Sequence, residues 1–111
     1  MDATEAGVMT MDRYVLVVRE TSSHDGIDAD VIDEDGLVAE STQLRYSDYD
    51  VMAERENGGP DRIEEAFTAD ARRIEIHLER DGRTFAFRAI ADDEEAARIE
   101  ISDSDWNLLH T

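Results

Sequence analysis

The stretch that decides the fold runs from residue 74 to residue 91 and reads IEIHLERDGRTFAFRAIA. Apolar and polar residues alternate on both sides of Asp81-Gly82, a dipeptide that is favoured in two-residue β-hairpin turns. A turn at this dipeptide places Arg80 opposite Arg83, and every other pair follows from it. The sequence therefore predicts an antiparallel hairpin over residues 72–91.

The predicted register gives this hairpin one apolar face and one charged face. The apolar face pairs Leu78 with Phe85, Ile76 with Phe87 and Ile74 with Ala89. The other face pairs Glu79 with Thr84, His77 with Ala86 and Glu75 with Arg88. A slip of one residue would expose both phenylalanines, so the apolar face must be the core side. Opposite charges facing each other across the strands predict an ion pair between Glu75 and Arg88.

Other strands follow on both sides of the hairpin. Their β-branched runs and alternation predict strands at 14–18, 27–31 and 99–101. The segment 37–46 is ambiguous between strand and helix, and its pattern favours a strand.

Three short helices are also predicted. Ser47 caps the first, with Tyr49, Met52 and Ala53 as its apolar stripe and Asn57-Gly58-Gly59 as its end. Pro60 opens the second, which contains Ile63, Ala66 and Phe67 and extends for a full helix or a single turn. Ser102 or Ser104 caps the third, which carries Trp106, Leu109 and His110.

The expected fold is therefore a single α+β domain over residues 12–111. Its mainly antiparallel sheet of four to five strands is packed by two or three short helices. Residues 1–11 lack apolar periodicity and are expected to form a disordered N-terminal arm; the chain could also begin at Met11.

The charge of the chain indicates its solvent. It contains 29 Asp plus Glu against 11 basic residues, and its formal net charge is −18. Every basic residue is an arginine. The excess negative charges repel one another, and this repulsion weakens a compact state in dilute buffer. Molar salt screens the repulsion. The composition resembles that of cytoplasmic proteins from extreme halophilic archaea, and it predicts non-specific binding of hydrated cations at the acidic surface.

Composition also excludes several classes of site and partner. The chain contains no cysteine, which excludes disulfides and thiolate metal sites. It has neither an apolar run long enough to cross a membrane nor a basic N-terminal signal, so we expect a cytoplasmic protein with no membrane partner. The negative charge argues against binding to nucleic acid.

Motifs for catalysis, cofactors and metals are missing from the sequence. It has no phosphate-binding glycine loop and no nucleophile elbow. The acids between Asp28 and Gly36 fail the calcium-loop spacing because Val31 stands where the first aspartate is required. His24, His77 and His110 lack a zinc spacing. We therefore predict no catalytic residue, no metal and no cofactor, and we assign His24-Asp25 to a turn.

The candidate binding residues lie in the hairpin. His77 faces outward between Glu75 and Glu79, with Arg88 across the strands, and a neighbouring carboxylate can tune an imidazole for acid–base work. Arg72 and Arg73 begin a local cluster of arginines that could recognise an acidic partner or, as a weaker option, nucleic acid through bidentate contacts. The ordinary interpretation of both groups is a paired, solvated surface.

Two functions remain open on the sequence. The first is a non-catalytic interaction or regulatory module that binds another protein or itself, with a homodimer formed through a sheet edge. The second is a small-molecule-binding domain or enzyme that uses the outer hairpin face around His77.

Overall fold

The computed structural model describes residues 11–53, 62–70, 72–106 and 108–110. Within them, the chain forms antiparallel β-strands and one short 3₁₀ turn at Tyr46–Tyr49. The strands are β1 (Asp12–Glu20), β2 (Gly26–Asp33), β3 (Val38–Arg45), β4 (Val51–Ala53), β5 (Ile63–Ala69), β6 (Ile74–Asp81), β7 (Thr84–Ala91), β8 (Glu94–Ser102) and β9 (Leu108–His110).

The predicted α+β class is wrong, because the described residues contain no helix of seven or more residues. The first predicted helix is the 3₁₀ turn followed by β4, and the last is replaced by a turn containing Trp106 and by β9. The second predicted helix is largely β5, which pairs with β1. Helical spacing over so few residues was outweighed by backbone pairing with distant strands, which a local pattern does not reveal.

The predicted strands are confirmed at all four positions, including the ambiguous segment 37–46. The first three strands form consecutive hairpins, and β5 then lies on the other side of β1. The resulting sheet has the order β3-β2-β1-β5, which is the Greek-key order. The β-branched run 14–18 suits the central strand β1 because this strand is paired on both edges.

A second sheet has the order β6-β7-β8, and a small third sheet pairs β4 with β9. Cα atoms of β5 and β8 approach within 8 Å, as do those of β3 and β6. The edges of the two larger sheets therefore meet on both sides, and the sheets enclose one core. The architecture is a β-sandwich with nearly closed sides.

The hairpin of β6 and β7 exists, but its predicted register is wrong by two residues. Its two-residue loop is Gly82-Arg83, so Asp81 pairs with Thr84 and Leu78 pairs with Phe87. Gly82 has a φ of 61° at the first loop position, where a type II′ turn favours glycine. This register avoids setting two arginines directly opposite each other. A shift of two preserves the faces, so the predicted core side stands.

The core lies between the sheets and is built from both of them. Its fully buried large side chains are Trp106, Phe85, Phe87, Leu16, Ile27, Ile101, Val18 and Val31. The Nε1 atom of Trp106 is buried without a hydrogen-bond partner among the described residues. Residues 1–10 of the predicted arm, Asn57-Gly58-Gly59 and Pro60 lie outside the described residues, while Met11 is exposed.

Candidate functional site

The outer face of the β6-β7-β8 sheet carries the residues predicted for binding. His77 lies opposite Arg88 on β7, which in turn lies opposite Arg98 on β8. His77 is thus paired with Arg88 and not with Ala86, and Glu75 is paired with Ile90 and not with Arg88. The structure brings His77, Glu75, Glu79 and Arg88 onto one face, as predicted, but with different neighbours.

Ion pairs connect these groups along the sheet. Arg88 binds Glu79 at 3.1 Å and Glu95 at 2.6 Å, so the predicted pair of Glu75 with Arg88 is replaced by two others. Glu75 instead contacts Arg73 at 2.5 Å and His77 at 3.0 Å. The hydrogen bond from His77, and then the Arg73 charge, lower the pKa of Glu75. The charges on this face are therefore largely matched by their own neighbours.

Arg72 and Arg73 lie where the chain enters β6. Both backbone N–H groups donate to the carboxylate of Asp92, at 3.2 Å and 3.0 Å, and Asp92 belongs to the β7–β8 turn. The Arg73 side chain turns toward Glu75. This pair of residues therefore joins the β5–β6 connection to the β7–β8 hairpin turn, and the Arg73 guanidinium takes part in the ion pairs of the outer face.

A second group of polar residues surrounds the turn between β1 and β2, and the sequence prediction missed it as a site. Glu20 binds two side chains with its two carboxylate oxygens. Nδ1 of His24 lies 2.6 Å from Oε1, and the hydroxyl of Tyr46 donates to Oε2 at 2.6 Å. The Glu20 side chain is only 9% exposed, whereas that of His24 is 62% exposed. A shielded carboxylate thus orients an accessible imidazole.

Tyr46 is held in this group by burial. It is 2% exposed, and burial, followed by the hydrogen bond to Glu20, raises the pKa of its phenol far above the usual range. The phenol therefore stays protonated and acts as a donor to the carboxylate. Glu20 is the last residue of β1, and Tyr46 comes immediately after β3. The Greek-key sheet therefore brings them together.

The turn itself is fixed by a network of hydroxyl groups. Thr21 and Ser23 donate to Oδ1 of Asp25 at 2.7 Å and 2.8 Å. These two hydrogen bonds are the main reason why the pKa of Asp25 is lowered, and the nearby charge of Arg45 adds to them. The carbonyl of Asp25 accepts from the N–H of Tyr46 at 3.0 Å. The turn is thereby attached to the end of β3.

His24 adopts a backbone conformation that is uncommon for a residue with a side chain. Its φ is 61°, in the left-handed region, and its N–H donates to the carbonyl of Thr21 at 2.9 Å. Backbone strain of this kind concentrates at functional sites. The positive φ of His24 therefore makes the space beside its imidazole a candidate site.

That space is a cavity of about 570 Å³, which we call the tip cavity. Its polar side includes His24, Asp25 and Arg45, and its apolar wall is made by β4. The lining residues are Ser23, His24, Asp25, Arg45, Tyr46, Ser47, Val51, Met52 and Ala53. Its size falls within the range of small-molecule sites, roughly 300–1,000 Å³. Two further cavities are lined by other parts of the chain, and neither includes His77.

The sequence contained part of this site. The polar cluster 21–26 predicts a turn, which the structure confirms, and Glu20 lies four residues before His24. Tyr46 is 26 residues from Glu20, so local pattern gave no sign of this contact. His24 was assigned to a turn, where it lies, but its exposure to a cavity is a property of the tertiary structure.

Within the described residues, no group of three or more His, Asp or Glu side chains is placed to hold a metal ion. None of the described segments forms a helix long and apolar enough to cross a membrane.

No protein-family model, no curated protein and no solved structure matches the chain. Support for the candidate site therefore comes from the residues of this chain alone.

Proposed function

We propose that this chain is a small non-catalytic binding module and that its ligand occupies the tip cavity. The observation that carries this proposal is the convergence, on one cavity of about 570 Å³, of an oriented imidazole, a guanidinium, a carboxylate and an apolar wall. Ligand sites typically combine an apolar lining with a few placed polar groups. A regulatory role would follow if ligand binding changed a contact with a partner.

The tip cavity favours binding over catalysis. A serine nucleophile needs its hydroxyl within reach of the base that activates it. Here the Ser23 hydroxyl donates to the Asp25 carboxylate, whose lowered pKa makes it a weak base. These groups are arranged to hold one another in place, which is what a rigid recognition site requires.

The outer face around His77 remains an alternative ligand site with less support. Its charged groups bind one another along the sheet, and a ligand would have to displace those ion pairs. The cellular setting is also part of the proposal: a halophile cytoplasm with molar salt, hydrated cations at the surface, and neither nucleic acid nor membrane as a partner.

Self-association is a second candidate, supported by an exposed apolar pair. Met52 and Leu109 face each other in register across β4 and β9, and they are 52% and 49% exposed. Apolar groups exposed side by side favour contact with a second surface. Because the edges of the larger sheets meet on both sides, we place a homodimer contact on this small sheet and not on an edge of those sheets.

A fragment screen in molar KCl, read by two-dimensional amide NMR, tests the ligand proposal. Hits should shift the amides of Ser23, Ser47 and Ala53 in a saturable way. The variant Ser47→Trp should block the cavity and abolish these shifts, whereas the matched variant Ser41→Trp, on exposed β3, should retain them.

Hits that instead shift the amides around His77 would move the site to the outer face and overturn the proposal. A complete absence of saturable shifts would do the same. Sedimentation of the wild type beside the Met52→Ser/Leu109→Ser double variant tests the second candidate. A dimer that the double variant loses would support it, and a monomer at millimolar concentration would reject it.

A further inference from the structure

The tip cavity contains one cation and one anion that are not joined to each other. Arg45 and Asp25 both line it, and the guanidinium is near enough to contribute to the lowered pKa of the Asp25 carboxyl. Within the described residues, Arg45 has no ion-pair partner inside 4.0 Å. Two opposite charges therefore line the same cavity without an ion pair between them.

The two charges differ in how they are held. The Asp25 carboxylate receives the hydroxyls of Thr21 and Ser23 on Oδ1, and this fixes its position at the cavity wall. A carboxylate has two oxygens with about four acceptor sites, so Asp25 retains capacity to accept a further donor. Arg45 ends β3 and is exposed, and its planar guanidinium is suited to bind a carboxylate with two parallel hydrogen bonds.

An apolar wall adjoins these charges. Val51 and Ala53, on β4, line the cavity together with Met52, whose exposed side chain extends the apolar surface outward. A ligand that used both charges would therefore also place an apolar group against β4. The lining therefore offers partners for a molecule that carries an acid, a base and a short hydrocarbon group.

The charge of the whole chain narrows the choice of ligand further. Where salt does not screen it, a net charge of −18 repels a simple anion and attracts any cation to the entire surface, with no preference for one cavity. A zwitterion has no net charge, so the overall field neither excludes it nor holds it elsewhere. The paired local charges of the cavity would then decide where it binds.

We propose that the tip cavity binds a free α-amino acid with an apolar side chain. Its carboxylate would bind Arg45, its ammonium would bind Asp25, and its side chain would pack on the β4 wall. This assignment rests on the proposed binding function and specifies its ligand class. The His24 imidazole, whose Nδ1 is held by Glu20, lines the same cavity as a further polar group.

The test uses the full chain in molar KCl, with L-leucine as the probe and amide NMR as the readout. Two analogues each lack one charge: isocaproate has no ammonium, and isoamylamine has no carboxylate. Because a charge-assisted hydrogen bond contributes roughly 1.5–3 kcal/mol, each analogue should bind at least about tenfold more weakly than leucine. Arg45→Gln should weaken leucine binding similarly, and Arg98→Gln, on the outer face, should leave it unchanged.

The analogue series uses the wild-type chain, so its result is independent of whether any variant folds. Equal or tighter binding of either single-charge analogue would overturn the amino-acid assignment while leaving a binding cavity in place. Absence of saturable binding by leucine would also overturn it. The fragment screen separately decides whether the cavity binds any small molecule, so the two failures are distinguishable.

Discussion

Arg80 and Asp103 form two parallel hydrogen bonds, of 2.7 Å and 2.9 Å, at the rim of the core. Their side chains are 16% and 6% exposed, and the guanidinium lies 4.2 Å from the centre of the Phe85 ring. The hydrogen bonds to Asp103 raise the pKa of Arg80 despite its partial burial. The pair fastens the tip of the β6–β7 hairpin to the turn that follows β8.

Removal of the Asp103 carboxylate should destabilise the fold strongly. Asp103→Ala leaves a shielded guanidinium without this partner, and breaking such a pair costs about 3 kcal/mol. Urea unfolding followed by Trp106 fluorescence measures the loss, because this tryptophan is fully buried. The exposed pair of Arg98 and Glu100 supplies the control: Glu100→Ala should cost less than about 1 kcal/mol. Equal losses in the two variants would contradict the prediction.

Alkaline pH should unfold the protein through Tyr46. The folded pKa of this phenol is raised above the ordinary tyrosine value of 10.0, so its contribution to stability is complete below that pH and declines above it. The free energy of unfolding should fall by up to about 1.4 kcal/mol per pH unit above the unfolded pKa. Tyr46→Phe should lower stability at neutral pH, since Glu20 then lacks its phenol donor. It should also reduce this slope to the part that Tyr14 contributes, because burial raises the pKa of Tyr14 as well.

Tyr49→Phe is the matched control for the alkaline experiment. It keeps the edge-on ring contact with Phe85, whose centroid lies 5.1 Å away, and should keep the slope. Fluorescence-detected urea titrations at several pH values from neutral to strongly alkaline provide the measurement. A wild-type slope that persists in Tyr46→Phe would refute the assignment to this phenol.

Gly26 is required by a close approach of backbones beside the tip cavity. A Cβ atom at this position would lie 2.1 Å from the carbonyl oxygen of Leu44, in the strand paired with it. Gly26→Ala should therefore cost roughly 2–3 kcal/mol as the two strands separate. Gly36→Ala is the comparison, because a Cβ atom there meets no atom within 4 Å. Its loss of stability comes only from the backbone strain of an alanine at a φ of +83°. Thermal unfolding of the two variants should rank Gly26→Ala as the less stable.

Salt should favour the folded state across the millimolar to molar range. At molar KCl the Debye length is about 3 Å, so repulsion among the exposed carboxylates is largely removed. Far-UV circular dichroism should show β-structure gained as KCl rises. Sucrose at matched osmolarity is the control, because it favours compact states without screening charge. Full structure in dilute buffer that KCl does not stabilise further would disprove the proposed self-repulsion.

The candidate site could be predicted only in part. The polar run 21–26 contains the turn signal, and the spacing of Glu20 and His24 is visible in the sequence. The binding hypothesis instead selected His77, because an outward histidine between two glutamates is a recognisable strand pattern. The structure surrounds that histidine with paired charges, and it places a cavity beside the other one.

The sequence by itself determined the strands β1, β2, β3, β6, β7 and β8, and it determined which side of the β6–β7 hairpin faces the core. Alternation and turn residues are local properties, so the faces of the β6–β7 hairpin were correct even though its register was not. Only the tertiary structure decided which strands pair. It made 63–69 a strand by pairing this segment with β1, and it brought Tyr46 within hydrogen-bond distance of Glu20. These outcomes depend on hydrogen bonds and burial between segments far apart in the chain. The free energy that such pairing contributes exceeds the difference between the helix and strand preferences of the same residues.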